Sequence, residues 1–163
     1  MTRSEIHEAA RVGDFDTVCR LLEEGVPVDS RGPEGDTPLH WATAWGHSEV
    51  VALLIDNGAD VNAWDNEGQT ALFLASKKGQ TDIRAMERLL ACQGIDVGAR
   101  RADGWTALHG AAQRGRADFI EMLIEADADV NARDNEGHTP LALARRKRRA
   151  DAMEALRTHG GKE

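Results

Sequence analysis

The sequence predicts an all-α repeat protein, a solenoid of stacked helix-turn-helix units joined by β-hairpin-like turns. Three observations predict it. The stretch "VNAWDNEGQTAL" (61–72) returns as "VNARDNEGHTPL" (130–141), 69 residues later. The glycine ahead of "x-T" falls at Gly35, Gly68, Gly104 and Gly137, at intervals of 33, 36 and 33, with Thr37, Thr70, Thr106 and Thr139 behind it. Apolar residues make up 41 % of the chain but aromatics only 4 %, with no Tyr. Alanine and leucine must then supply the packing, which suits closely approaching helices better than a sheet sandwich. A fixed period of this length marks modules that bury their apolar faces only by stacking. The 163 residues are read as one repeat domain with units at approximately 4–33, 34–66, 67–102, 103–135 and 136–161.

The first unit is partial and starts at about Ser4. It carries Glu8 where the second unit has Trp41, so its outer face can meet water. The second unit opens with "TPLHWATAWG" (37–46): Thr37 serves as N-cap and Pro38 as first helical residue, where its missing N–H costs nothing. "HSEVVALLIDNG" (47–58) spaces Val50, Val51, Leu53 and Leu54 as a second helix, ended by Gly58. "ADVNAWDNEG" (59–68) is a turn and hairpin-like connection. The third unit has three extra residues between Gly79 and Leu89, and Ile83, Met86, Leu89 and Leu90 fall on one helical face. Its second helix is expected to be about one turn longer than its neighbours. The fourth unit has Asp127 where the others have Gly25, Gly58 and Gly94, a costly exchange if φ is positive there. The last unit replaces the recurring inner glycine (Gly13, Gly46, Gly79, Gly115) with Arg148, and puts Arg145 where Thr43, Ser76 and Ala112 stand. It is read as a cap.

The motifs "TPLHWA" (37–42), "TALHGAA" (106–112), "GHSEVVALLIDNGADVNA" (46–63) and "EADADVNARDNEGHTPLALA" (125–144) resemble the ankyrin repeat family over nearly the whole chain. The resemblance implies an ankyrin-type solenoid whose hairpin tips and first helices form a concave recognition groove.

Charge and composition narrow the function classes. The net charge of −8 disfavours nucleic acid, whose phosphates it would repel. It is lopsided: residues 1–66 hold 4 basic and 13 acidic residues, residues 67–163 hold 16 and 15. No apolar run reaches the roughly 20 residues of a membrane span, and "MTRSEIHEAARVGD" lacks a secretory apolar stretch. A soluble cytoplasmic monomer is expected, with a nuclear site open if the source is eukaryotic. Cys19 and Cys92 stand outside any CxxC or zinc spacing and are read as buried free thiols.

Catalytic and metal readings fail on geometry. His7, His40 and His109 occupy equivalent positions, so a repeat width separates them and they cannot converge on one ion. Hydrogen bonds to backbone and the neighbouring turn are expected instead. "DVNAWDNEG" (60–68) and "DVNARDNEG" (129–137) lack the sixth-place glycine of a calcium loop, and their carboxylates are expected to hold turns. No enzyme, cofactor or metal is expected. "RRKRR" (145–149) is read as a nuclear-import signal, a phosphate-binding patch, an acidic-partner site or a solvated helix end, its five cations spread round a helix.

Tryptophan is the clearest pointer to function, because it is uncommon on monomer surfaces and enriched at interface hot spots. Trp41 and Trp45 fall on a first helix, Trp64 and Trp105 at tips, all outside the Leu, Ala and Val positions of the stack. By the resemblance, Trp45, Trp64 and Trp105, with Trp41 as the weakest candidate, face the groove. Lys77, Lys78, Arg100, Arg114 and Arg133 give it a basic floor, and Glu34, Asp36, Glu67, Asp103 and Glu136 give it acidic tips. The expected partner is a protein or peptide segment with apolar anchors and some acidic residues, bound by a non-catalytic adaptor, scaffold or inhibitor. The alternative is a nuclear or nucleic-acid-associated regulator acting through residues 145–149.

Overall fold

The computed structural model describes residues 4–77 and 82–163. Its ten helices are α1 (Glu5–Val12), α2 (Phe15–Glu23), α3 (Pro38–Ala44), α4 (Ser48–Asp56), α5 (Ala71–Lys77), α6 (Ile83–Leu90), α7 (Ala107–Arg114), α8 (Ala117–Glu125), α9 (Pro140–Arg146) and α10 (Ala150–Thr158). No strand occurs among the described residues. They form an all-α repeat protein of five successive helix pairs.

The chain divides into two compact units, Met1–Ile95 and Asp96–Glu163. In unit 1, α1, α3 and α5 pack in one row and α2, α4 and α6 in a second. Each helix is too short to be stable alone, so this lateral burial holds it. The core between the rows contains Ile6, Val18, Leu39, Val51, Leu54, Leu72, Met86 and Leu89, each almost solvent-free. Unit 2 repeats the scheme with α7 beside α9 and α8 beside α10, around Leu108, Phe119, Ile120, Leu123, Leu143 and Leu156.

Between helix pairs the chain makes one hairpin-like turn, repeated four times. Its closing bonds run from Gly32 N–H to the Asp36 carbonyl (2.8 Å), Asp65 to Gln69 (3.0 Å), Arg101 to Trp105 (2.9 Å) and Asp134 to His138 (3.0 Å). Successive tips are joined by Asn66 N–H to the Glu34 carbonyl (2.8 Å) in unit 1 and Asn135 N–H to the Asp103 carbonyl (3.0 Å) in unit 2. The carboxylates of "DVN" and "DNEG" hold turns as expected. Asp60 and Asp129 accept from Asn62 and Asn131 N–H (both 2.9 Å), and Asp65 accepts from Glu67 and Gln69 N–H (2.9 and 2.8 Å).

Three expectations need correction. Helix α6 is not a turn longer than its neighbours: it has 8 residues against 9 in α4 and α8. Asp82 accepts a hydrogen bond from Arg84 N–H and starts the helix only at Ile83. Ile83, at the first helical position, is 43 % exposed while Met86 and Leu89 are buried. Cys19 and Cys92 are free but half-buried rather than buried.

"RRKRR" does not wind round one helix. Arg145 and Arg146 end α9, Lys147 caps it, Arg148 has φ 55°, and Arg149 precedes α10. The run straddles a turn. Among the described residues, the non-glycine positions of positive φ are Arg148 and Asp127 (φ 66°), where the matching Gly46 and Gly58 have φ 77° and 84°. A side chain there crowds the following carbonyl, by about 1 kcal/mol.

Candidate functional site

The buried histidines organise the backbone beneath the surface. His40 Nδ1 accepts from the Thr37 backbone N–H (3.1 Å) and lies 2.8 Å from Thr37 Oγ1. That leaves its proton on Nε2, which donates to the Gln69 carbonyl 29 residues on (3.1 Å). His109 repeats this with Thr106 (3.2 and 2.9 Å) and the His138 carbonyl (3.2 Å). His7 lies 2.6 Å from Ser4 Oγ and 3.1 Å from the Asp36 carbonyl. Burial holds the His40 and His109 pKa values below the ordinary imidazole range, despite the carbonyl bonds that oppose it. Bonded on both nitrogens, each of these imidazoles fastens a helix start to the following tip, and burial keeps His40 and His109 neutral. Where Phe73 takes the slot, Thr70 Oγ1 accepts directly from Phe73 N–H (3.2 Å).

The tryptophans divide into two kinds. Trp45 and Trp64 are each 41 % exposed. Trp45 caps the end of α3, with the Arg11 guanidinium 5.7 Å above its ring. Trp41 and Trp105 are half-buried, and both spend their indole N–H inside the protein. Trp41 donates to Asp36 Oδ2, and Trp105 to Asp134 Oδ2 at 3.2 Å while stacking on His109 at 6.1 Å. Trp41 therefore stands at a packing position, contrary to expectation: Leu74 and Leu143 fill the same place and are buried. Asp36 is likewise no exposed tip carboxylate but a buried acceptor for Trp41 and Glu34 N–H.

The basic candidates are also unlike one another. Arg100 donates to the Arg133 carbonyl, and Arg133 donates to the Gly137 carbonyl (2.7 Å) and the Glu163 carbonyl (3.4 Å). In unit 1 Arg31, which sequence reasoning missed, donates to the carbonyls of Gly35 (2.7 Å) and Trp64 (2.5 Å). Arg31, Trp64, Arg100 and Arg133 share one register position, so Arg31 was visible in the repeat alignment. There Arg31 and Arg100 tie successive tips within their units, Arg133 holds its own tip and the chain's end, and Trp64 presents a ring. Lys77 lies 5.8 Å from the Phe73 ring. Arg114 is the exposed last residue of α7. Lys78 lies outside the described residues.

Two hollows accompany these residues in unit 2. One, of about 380 Å³, is walled by Trp105, Asp103, Asp134, Glu136, His138 and Arg146 among others. The Asp134 carboxyl there is held below its usual range: burial opposes ionisation, but the N–H groups of His138 and Glu136 and the His138 ring outweigh it. The other, of about 630 Å³, opens on the last helix pair between Arg145, Arg148, Met153 and Arg157. Among the described residues no group of three or more His, Cys, Asp or Glu side chains stands together as a metal-binding set. Burial pushes both thiols up, helped at Cys19 by Glu23, which makes them poor nucleophiles. No helix among the described residues is long and apolar enough to cross a membrane.

Comparison with curated proteins finds short matches. The chain is 49 % identical over 37 residues to acyl-CoA-binding domain-containing protein 1 of Arabidopsis thaliana, covering 23 % of this chain and 11 % of that protein. Protein 2 of the same plant matches at 49 % over 37 residues, 23 % of this chain and 10 % of its own length. Acyl-CoA-binding domain-containing protein 4 of Oryza sativa subsp. japonica matches at 50 % over 38 residues, 23 % and 11 %. The chain thus spans only about a tenth of the length of these relatives, and each match is about one repeat long. The family model described as "Ankyrin repeats (3 copies)" matches residues 6–97 and 82–163, nearly all of the sequence. With its helix pairs, recurring tips and histidine ties, the chain belongs to the ankyrin repeat family.

Proposed function

We propose that this chain is a non-catalytic interaction module, an adaptor, scaffold or inhibitor, that binds a protein partner on the face made by tips and first helices in each unit. Ankyrin repeats are in general protein-interaction modules. The observation that carries the reading is the exposure of Trp45 and Trp64, two large rings each 41 % exposed on a scaffold whose leucines are all buried or half-buried among the described residues. A rigid, hydrogen-bonded backbone beneath them lowers the ordering cost of binding. The partner is a peptide or protein segment with apolar anchors for the rings and some acidic residues for basic side chains such as Lys77 at the end of α5. The module works as a cytoplasmic monomer.

A second reading uses residues 145–149, because all five cations are exposed on the last helix pair beside the arginine-lined hollow. It makes the chain a nuclear or nucleic-acid-associated regulator. Affinity capture with wild type, W45A/W64A and a variant neutralised at residues 145–149 decides between them. The interaction module loses its partner in the tryptophan variant and keeps it in the neutralised one. Capture lost only in the neutralised variant, and falling steeply with salt, supports the second reading instead.

A further inference from the structure

Three of the five large apolar side chains exposed among the described residues stand on two adjoining turns of unit 1. Val12 (52 % exposed) ends α1, Phe15 (40 %) begins α2, and Trp45 (41 %) caps the end of α3. The two inner turns that carry them are joined: His47 Nε2 lies 2.9 Å from the Arg11 carbonyl, and the Arg11 guanidinium lies over Trp45. At the corresponding positions α7 ends in Arg114 and α8 begins with Ala117, so stacking does not require this apolar edge.

The two turns of the edge carry more acid than base, although Lys77 ends the α5 helix packed on α3. Between Arg11 and Thr17 and between Ala44 and Val50 the sequence has one basic residue besides His47, Arg11, and three carboxylates, Asp14, Asp16 and Glu49. Arg11 is already bonded to Glu8 (2.9 and 2.5 Å). Asp14 stays ionised, since the Thr17 N–H and hydroxyl hold its pKa below the usual carboxylate range. All of this sits in the unit that carries 8 basic and 16 acidic residues.

We infer that the edge formed by the α1–α2 and α3–α4 turns docks a basic peptide segment bearing a large apolar anchor side chain. The anchor covers Val12, Phe15 and Trp45, and flanking lysines or arginines meet Asp14, Asp16 and Glu49. The site lies apart from the tips, shares only Trp45 with the proposed groove, and calls for charge opposite to the acidic residues expected there.

Calorimetric titration of the full chain with two short peptides tests it, one an Ile-Phe core flanked by lysines, the other the same core flanked by glutamates. The lysine peptide binds, and the glutamate peptide does not. Phe15→Ser weakens the lysine peptide on the order of tenfold, the equivalent of one buried aromatic side chain. Asp16→Asn with Glu49→Gln weakens it several-fold and flattens its salt dependence. Circular dichroism confirms that these surface variants stay folded. Equal or tighter binding of the glutamate peptide overturns the inference. So does lysine-peptide binding indifferent to Phe15→Ser, or no peptide binding alongside Phe15-dependent self-association. Any of these failures leaves the groove reading standing, because Val12 and Phe15 take no part in it.

Discussion

Unit 1 and unit 2 are built from the same helix pair and tied by the same histidine, yet they present different surfaces. The Thr37–His40–Gln69 tie of unit 1 and the Thr106–His109–His138 tie of unit 2 agree to about 0.1 Å. Charge does not agree: unit 1 has a net −8, and unit 2, with 12 basic and 12 acidic residues, is neutral. Nor do the aromatics. Unit 1 leaves Trp45 and Trp64 exposed, whereas unit 2 bonds and stacks its one tryptophan. The stack fixes the buried positions and leaves the surface ones free to vary. At the shared position of Arg31, Trp64, Arg100 and Arg133 the same backbone carries a tie or an exposed ring.

The largest expected effects probe what the units share. H40A and H109A should each cost about 2–3 kcal/mol, since each strands polar groups in the interior. Chemical denaturation checks this, and a severe loss at one site with a negligible loss at the other would break the equivalence of the ties. Next comes what they do not share. W105A should cost about 2 kcal/mol through its lost bond and stacking, and W64A less than about 1 kcal/mol. Melting of the two variants side by side reverses the assignment of buried and exposed rings if W64A proves the worse.

Smaller gains sharpen the comparison at the two strained positions, both in unit 2. D127G and R148G should each stabilise by about 1 kcal/mol, and a lowered melting temperature would contradict the positive φ at these helix ends. The histidines place a pH effect in mild acid. Because burial depresses the folded pKa of His40 and His109 below the ordinary 6.5, the unfolded chain binds protons first as pH falls. Stability is therefore full above 6.5 and declines as pH drops through that value towards the folded pKa. Melting temperature should be lower at about pH 5.5 than at about pH 7.5, with a shallower decline when both histidines are replaced by the Phe found at position 73.

Much of the scaffold was legible because it repeats. Recurring Thr, Gly and Leu positions mark the helix pairs, and equivalent His7, His40 and His109 point to bonds rather than to a metal. Asp127 betrayed its own positive φ by standing in a glycine column. The short α6 was also readable, since Asp82 ahead of Ile83 is an ordinary N-cap; apolar spacing alone hid it. Trp41 and Asp36 were less accessible. Their burial depends on a bond between a helix and the tip before it, and periodicity says which face a residue takes, not what covers it. Arg100 and Arg133 looked like free groove cations for the same reason, although backbone carbonyls already receive them.

The central claim is that the exposed tryptophans of unit 1 are for a partner and not for the stack. Melting and partner capture measured together on W45A/W64A test it most directly. The expected result is a variant that loses its partner while its melting temperature falls only a few degrees. A variant that keeps its partner, or that unfolds as readily as H109A, would contradict it.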